Sequence, residues 1–298
     1  MASGILLLDK PLGLSSNAAL QRVRTLYERV KAGHVGSLDP LATGMLPVCL
    51  GEATKVAGDI LAGRKCYRFS IALGTRTSTG DAEGEPVERR PVPPLTAAAV
   101  ESILQRFRGV QTQVPPMYSA LKRDGQPLYR LARAGLCVPR APRTIELGEL
   151  RLLLMSPERL DLETVCSKGT YIRVLAEDLA AALETCGHVA ALRRVYVEPF
   201  QGQPMHSLEA LAALKVQGTV LPLMPADAPL GHLPAVTLAV AEVARVLKGQ
   251  SIRVTLPGAL PRVRIYGAGG EFLGLGETDL AGMLQPRRLL LAGPPAGA

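Results

Sequence analysis

Residues 34–44 read HVGSLDPLATG and hold one acidic residue, Asp39, in an otherwise apolar turn. Pro40 follows the acid directly, and Gly36 and Gly44 stand on either side of it. Because proline disfavours the α conformation for the residue before it, we expect Asp39 to be extended. The glycines permit close approach of another backbone or of a ligand. Since Asp-Pro is also common turn chemistry, a structural carboxylate and a reactive one both remain open.

The segments that follow this turn along the chain predict several strands. Residues 67–73, YRFSIAL, alternate strictly between two sets of side chains, which predicts a half-buried strand. Two further strands are predicted near 145–154 and 160–166, separated by Ser156 and Pro157. These runs are short and do not alternate regularly with helices, so a largely antiparallel sheet is favoured over a parallel one.

Helical spacing appears in two other segments. Residues 97–107 place Val100, Ile103 and Leu104 on one face, which predicts a helix. YIRVLAEDLAAALET, residues 171–185, predicts the end of a strand that becomes a helix and is stopped by Gly187. Together with the strands, these helices predict an α+β fold with a mixed, largely antiparallel sheet flanked by helices.

Composition changes near residue 225 and predicts two domains. MPADAPLGHLPAV holds three prolines and predicts a linker that follows a first domain over 1–228. Residues 235–293 contain a short helix and two strand-like runs around a glycine-rich hairpin, which predicts a compact β domain. The final residues, 294–298, are expected to be a disordered tail.

Positive charge is concentrated in one segment. The chain carries 34 Lys and Arg against 26 Asp and Glu, a net charge of +8. Residues 106–143 hold eight of the basic residues and one acid, Asp124, together with Tyr118 and Tyr129. Arginines among prolines and tyrosines suit a surface that binds phosphates and offers rings to bases. A solvated surface loop is the alternative that charge alone leaves open.

Cysteine and histidine usage excludes several classes of protein. The five cysteines form no C-x-x-C pair, and the four histidines are scattered, so neither a disulfide framework nor a zinc site is predicted. No secretory signal or run of 18 apolar residues is present, which favours a cytoplasmic location and no membrane partner. We expect no metal and no cofactor.

Three other residues change the interpretation of Asp39. In the run from 166 to 174, CSKGTYIRV, Tyr171 and Arg173 occupy alternate positions and would project from one face of a strand. Tyr67 begins the strand at 67–73. A nearby arginine would lower the pKa of Asp39 and keep it ionised, and tyrosine rings stack on flat substrates. The residues alone therefore indicate an RNA-associated site with a carboxylate nucleophile or base.

Five motifs in this chain resemble, in order, those of the TruB family of tRNA pseudouridine synthases. They are GHVGSLDPLATGMLPVCLGEATK, KCYRFSIALGTRTSTGDAEGE, PPMYSALKRDGQPLYRLARAG, CSKGTYIRVLAEDL and HVAALRRV. The resemblance covers residues 4–200 and extends less distinctively to 235–293, which is similar to that family's PUA-type RNA-binding domain. One departure is Val35, where many relatives have threonine. The resemblance implies a pseudouridine-synthase fold and an isomerase that needs no cofactor.

Roles for individual residues also follow from the resemblance. It implies that Asp39 is the catalytic aspartate, that Tyr67 stacks on the target base and takes part in proton removal, and that Arg173 pairs with Asp39 and with Asp81. Tyr171 would lie in the same pocket.

The resemblance further implies a set of residues that bind substrate. Leu192 would close the base pocket, His34 would contact flipped T-loop bases, and Lys10 would support the site. Residues 115–142 correspond to a flexible loop that closes over the RNA. On this loop we predict that Arg130 and Arg133 bind phosphates.

The favoured function is isomerisation of uridine 55 in the T loop of tRNA by a monomeric enzyme. Asp39 would act as an anion on C1′, on C6 or on the 2′ proton, and the sequence does not choose between these routes. An RNA chaperone that folds tRNA by binding alone is the alternative. A guide-RNA-dependent synthase would carry long basic tails, which LLLAGPPAGA does not resemble. A protein-binding or metabolic role would predict no salt-sensitive affinity for RNA.

Overall fold

The computed structural model of the chain describes residues 2–123, 125–256 and 258–290. The predicted tail, 294–298, and the last residues of the predicted second domain, 291–293, lie outside this range. No helix in the described part of the chain is both long and apolar enough to cross a lipid bilayer.

The helices and strands follow the chain in an irregular order. The helices are α1 (Ser16–Leu26), α2 (Ala57–Ala62), α3 (Ala97–Phe107), α4 (Leu128–Arg133), α5 (Ile172–Ala182), α6 (Leu208–Val216) and α7 (Val240–Leu247), with 3₁₀ helices at Gly51–Val56 and Ala228–Leu230. The strands are β1 (Gly4–Lys10), β2 (Ala32–His34), β3 (Ala42–Leu50), β4 (Lys65–Leu73), β5 (Thr75–Thr77), β6 (Pro86–Arg89), β7 (Gly109–Gln113), β8 (Lys122–Arg123), β9 (Gln126–Pro127), β10 (Arg143–Ser156), β11 (Arg159–Cys166), β12 (Gly187–Val197), β13 (Ala235–Thr237), β14 (Ile252–Arg253), β15 (Leu260–Tyr266), β16 (Phe272–Thr278) and β17 (Met283–Leu289).

A large mixed sheet forms the centre of the first domain. Its strand order is β1-β3-β12-β4-β11-β10-β7, and β2 pairs with the outer part of β3. Strands β12 and β3 run parallel, whereas β4 is antiparallel to both β12 and β11. The predicted α+β class with a largely antiparallel sheet is therefore confirmed.

Apolar side chains cover one face of this sheet and part of the other. One face packs against α1, α3, α5 and α6 through residues such as Leu20, Leu104 and Leu179. The other face is covered at β1 and β3 by the first 3₁₀ helix, by α2 and by Phe200. Because β4 lies in the middle, Cys66 and Ser70 are buried as well as Phe69, so this strand is more buried than its alternation predicts.

The helix predicted at 97–107 is confirmed with the same bounds. Its buried residues are Val100 and Leu104, and the side chain of Thr96 accepts a hydrogen bond from the backbone N–H of Ala99 at its start. A threonine at this position satisfies one of the N–H groups that the first turn leaves unpaired. The two strands predicted after the basic segment are also present, as the longer β10 and β11.

The prediction that 171–174 ends a strand is wrong. Strand β11 ends at Cys166, and a turn through Gly169, with φ +82°, leads to Tyr171 as the residue before α5. The buried side chain of Gln113 exchanges two hydrogen bonds with the Tyr171 backbone, at 3.0 and 3.3 Å. Tyr171 and Arg173 therefore lie at a helix start and do not share a strand face.

The prediction that Gly187 stops this helix is also wrong. Helix α5 ends at Ala182. After it, Glu184 takes φ +61°, and the N–H of Thr185 donates a hydrogen bond to the carbonyl of Ala180. This is a Schellman ending with a residue other than glycine in the left-handed position. Gly187 instead begins β12, where a Cβ would lie 2.9 Å from the Ala180 side chain.

The second domain is a small sheet with the order β13-β15-β16-β17-β14, and α7 packs on its core. Polar contacts join it to the first domain, among them the Arg262–Asp59 ion pair and the hydrogen bond from Tyr266 to Asp227. The predicted linker is packed, since Leu230 is fully buried. A cleft of about 840 Å³ lies between the domains, and none of the predicted site residues lines it.

Gly44 meets another backbone at close range, as its position beside Asp39 predicts. A Cβ there would lie 2.1 Å from the carbonyl oxygen of Arg194, and φ is +97°. We expect Gly44→Ala to lower the free energy of unfolding by more than about 2 kcal/mol, because the clash adds to backbone strain. Gly13→Ala is the matched control, since φ is +80° and no atom lies within 4 Å. Equal losses in urea melts of the two variants would contradict this explanation.

Candidate active site

The loop that carries Asp39 joins β2 to β3 and is held by buried polar side chains. The hydroxyl of Ser16 accepts a hydrogen bond from the N–H of Leu38 at 2.7 Å and donates one to its carbonyl at 2.9 Å. The Lys10 ammonium donates to the carbonyls of Leu14, at 2.6 Å, and of Pro40, at 3.4 Å. These contacts fix the backbone on both sides of Asp39, whose side chain is 42 % exposed.

Arg173 brings two acids together. Its Nε atom lies 3.0 Å from Oδ2 of Asp39 and 3.6 Å from Oδ2 of Asp81. The other two guanidinium nitrogens donate to the carbonyls of Thr79, at 2.8 Å, and of Tyr118, at 2.5 Å. One buried arginine thus joins the Asp39 loop, the loop after β5 and the basic segment at Tyr118.

Burial raises the pKa of Asp39 above its ordinary value, despite the nearby arginine. Loss of hydration is the largest cause, Arg173 opposes it, and the nearby Asp81 adds to it. The expectation that the arginine lowers this pKa overall is therefore wrong, because it neglected the burial that the fold imposes. The partial exposure of the side chain limits the effect of burial.

Two tyrosines lie near this carboxylate. Tyr67, on β4, is half-buried, and burial raises its pKa, although the charge of the nearby Arg194 opposes this. Tyr171 is half-buried, and burial is also the main cause of its raised pKa, although the charges of Arg143 and Arg173 oppose it. The charge of Asp39 raises the pKa of both phenols slightly. Both rings are therefore neutral phenols that can stack on a base or exchange a proton.

Leu192 and Lys10 are buried beside this cluster. Leu192 is the cross-strand partner of Phe69 on β4 and of Ala42 at the start of β3, directly after the Asp39 loop. Lys10 is fully buried, and burial lowers its pKa to about 8. The structure therefore places both of these predicted site residues next to the carboxylate loop.

His34 is half-buried at the end of β2, and no described residue hydrogen-bonds its Nδ1 atom. Burial and the charge of Arg194 lower the pKa of its imidazole, so it is neutral at pH 7. A buried ring nitrogen without a partner is free to bind a polar group of a ligand.

The basic segment forms regular secondary structure, and its Tyr118 contacts the site. It contains the β8–β9 hairpin and α4, and its Tyr118 carbonyl binds Arg173. Arg130 and Arg133 are exposed on α4, with Arg133 over the ring of Tyr129. The structure does not join these two arginines to the Asp39 cluster.

Sequence reasoning missed two buried residues that support the site. Gln113 binds the backbone of Tyr171, and Arg194 binds the Asp39 loop. Strand alternation would have separated Arg194 from the partly exposed Arg193 beside it. No local pattern would have found Gln113, because its partner lies far along the chain. Among the described residues, no three His, Cys, Asp or Glu side chains are grouped so as to hold a metal ion.

Sequence comparisons identify the family. The profile of the TruB family pseudouridylate synthase N-terminal domain matches residues 24–172. A protein of Stutzerimonas stutzeri (strain A1501), tRNA pseudouridine synthase B, is 48% identical over 292 residues, which is 97% of this chain and 95% of that protein. The chain belongs to the TruB family of pseudouridylate synthases. It is therefore an enzyme, an isomerase, as its motifs predict.

Other comparisons agree with the TruB assignment over the rest of the chain. Residues 173–228 match the tRNA pseudouridylate synthase B C-terminal domain, and residues 234–290 match a second TruB C-terminal profile. The tRNA pseudouridine synthase B of Aromatoleum aromaticum (strain DSM 19018 / LMG 30748 / EbN1) is 47% identical over 290 residues, covering 97% of this chain and 93% of that protein.

The fold of this TruB chain also resembles solved structures. A crystal structure of a Cbf5-Nop10-Gar1 complex contains a chain with TM-score 0.71 and 22% identity, covering 97% of this chain and 85% of its own. A structure of an H/ACA RNP bound to a substrate RNA gives 0.70 and 20%, with the same coverage. At these identities the likeness shows the fold alone, and it confirms the predicted pseudouridine-synthase fold.

Proposed function

We propose that the enzyme isomerises uridine 55 in the T loop of tRNA to pseudouridine, with Asp39 as its catalytic carboxylate. The ion pair between Asp39 and Arg173, in a chain of the TruB family, is the observation that carries this proposal. Relatives with 48% identity are named tRNA pseudouridine synthase B, which supports tRNA as the substrate.

The chemistry needs an ionised carboxylate and a pocket that retains a free base. The N1–C1′ bond breaks, the uracil turns, and a C5–C1′ bond forms, so every atom of the uridine is kept except the exchanged C5 proton. Asp39 would attack C1′ or C6, or remove the 2′ proton. Leu192 and the ring of Tyr67 would bound the detached uracil, and a closed apolar pocket prevents its loss.

The target uridine must leave the stacked T loop before it reaches Asp39, at a cost of a few kcal/mol. Arginines on residues 115–142 offset this cost by binding phosphates, and we assign this role to Arg130 and Arg133. His34 would contact flipped bases through its unpaired nitrogen. Lys10 supports the loop through the Pro40 carbonyl.

Residues 1–228 would form the catalytic domain and residues 235–293 a PUA-like RNA-binding domain. Separate apolar cores in the two regions support this division. The enzyme would act as a monomer in the cytoplasm and without a cofactor, because an isomerisation takes no group from a donor. All five cysteines are free, which suits a reducing compartment.

Tritium release tests the proposed function directly. A T-arm stem-loop labelled at C5 of uridine should lose tritium to water when U55 is present, because the C5–H bond is broken during isomerisation. The matched RNA has cytidine at position 55 and label at its other uridines. Equal release from both RNAs, or none from either, would contradict the assignment of position 55.

Salt dependence tests the role of the basic segment. We expect Arg130→Ala with Arg133→Ala to lessen the slope of log Kd against log salt by about 1.5 to 2, since two phosphate contacts are lost. The control pair is Arg151→Ala with Arg159→Ala, whose guanidinium groups already pair with Glu163 and Asp161. An unchanged slope in the first pair would remove both arginines from the RNA interface.

The acid limb of the pH–rate profile should reflect the raised pKa of Asp39. A raised pKa means that the carboxyl is protonated at higher pH than a free aspartate, and only the anion reacts. Single-turnover rates should therefore fall as pH decreases toward a midpoint above 3.8, the ordinary value. Circular dichroism at each pH controls for unfolding. A rate that stays constant down to 3.8 would contradict this direction.

A further inference from the structure

Arg194 is a buried arginine with no role in the reaction proposed above. Its side chain is 1 % exposed, and no Asp or Glu within residues 2–123, 125–256 and 258–290 forms an ion pair with it. Lys10 and Lys65, also buried, lie close enough for the charge of Arg194 to help lower their pKa values, although burial is the larger cause. A buried cation without a carboxylate costs stability, and an apolar residue would avoid that cost.

The guanidinium of Arg194 instead binds the backbone on both sides of Asp39. Its Nε atom donates to the Met45 carbonyl at 2.7 Å, and Nη2 donates to the Gly36 carbonyl at 2.8 Å. A Cβ at Gly36 would lie 3.2 Å from Nη1, so the glycine leaves room for this group. The contacts fix the two ends of the Asp39 loop relative to β12.

Arg194 also faces Tyr67. The two residues are cross-strand partners on β12 and β4, and the guanidinium lies close enough to the phenol for its charge to lower the Tyr67 pKa against the larger effect of burial. Arginine has only donors, so the Tyr67 oxygen can only accept a hydrogen bond from it. A hydroxyl that accepts from a fixed cation keeps its own proton available, and the same cation stabilises the oxygen when the proton leaves.

We propose that Arg194 is a positioning residue that holds Tyr67 as the proton carrier of the final step. This inference rests on the proposed function. After the C5–C1′ bond has formed, one proton must leave C5 and one must reach N1, and both atoms adjoin C6 of the ring. Tyr67 gives its phenolic proton to N1, and the resulting phenolate beside Arg194 removes the proton from C5. The electrons of the C5–H bond return to the ring, and the phenol is restored.

Two variants test this role through an isotope effect. In the wild type we expect the final proton transfer to be faster than the earlier steps, so C5-deuterated uridine should isomerise at the same rate as unlabelled uridine. In Arg194→Met, single-turnover product formation should fall about 100-fold and become slower with deuterium, because loss of the cation makes C5 deprotonation limiting. Arg194→Lys keeps the buried charge without the planar fork, and should fall at least about tenfold with the same isotope effect.

Controls separate this role from a general loss of structure. Arg193→Met removes the neighbouring arginine, which pairs with Asp9 and is 43 % exposed, and should leave both rate and isotope effect unchanged. In Tyr67→Phe, adding Arg194→Lys should cause a smaller loss than Arg194→Lys causes in the wild type and no isotope effect, because the proton carrier that it holds is already absent.

The results distinguish this inference from the proposed function. If Arg194→Met does not fold, Arg194→Lys decides. A folded variant with the wild-type rate, or one that is slowed without an isotope effect, overturns the inference. If wild-type enzyme releases no tritium from the U55 stem-loop, the proposed function itself fails.

Discussion

Asparagine in place of Asp39 should reduce tritium release from the U55 stem-loop by at least about 10⁴-fold. The amide has the same size as the carboxylate but carries no negative charge, so it cannot act as nucleophile or base. The loop should remain in place, because Ser16 and Lys10 hold its backbone and not the Asp39 side chain. RNA affinity, measured by filter binding, should therefore be unchanged.

This variant also separates the isomerase from the RNA chaperone that was the alternative function. A chaperone that works by binding alone should fold tRNA equally well with Asp39→Asn. Asp59→Asn is a suitable control, since Asp59 pairs with Arg262 at the domain boundary. Residual release above a few per cent of wild type would exclude Asp39 as the essential carboxylate.

Lysine in place of Arg173 should lower the rate of isomerisation by about 10² to 10³-fold. The ammonium keeps the positive charge, but it cannot reach Asp39 and the Thr79 and Tyr118 carbonyls together, as the guanidinium does. Asp39 would be held less precisely, and the basic segment would lose its contact with the site. Single-turnover kinetics should show the loss in rate, and filter binding a smaller loss in RNA affinity.

Arg68→Lys is the matched control for Arg173→Lys. Arg68 also pairs with a carboxylate, Glu163, at 2.7 Å, but its side chain is 62 % exposed on the outer face of the sheet. We expect this variant to retain the wild-type rate. If both substitutions had the same small effect, the shared guanidinium of Arg173 would have no special role.

Secondary structure was predictable where local sequence decides it. Val100 and Leu104 repeat at helical spacing, and Thr96 caps their helix, so its bounds were correct. Tyr171 and Arg173 alternate as in a strand, yet Gln113 on a distant strand binds the backbone at Tyr171, where α5 starts. Tertiary contacts of this kind leave no periodic pattern in the segment that they shape.

The composition of the site was predictable only through family resemblance. Nothing local to Asp39 indicates Arg173, because the loop between β2 and β3 and the helix α5 meet only in the folded chain. The predicted direction of the Asp39 pKa shift was wrong for the same reason. Residue types indicate nearby charges, whereas burial depends on the whole fold.

The Tyr118 carbonyl and the Asp39 carboxylate share one guanidinium, and this limits how the enzyme can be redesigned. Substitutions next to Tyr118 in the basic segment would disturb catalysis along with RNA recognition. Changes on α4 touch no atom of the reacting cluster. An engineer who wishes to redirect this scaffold to a different RNA hairpin should therefore vary α4 first and leave the sequence around Tyr118 intact.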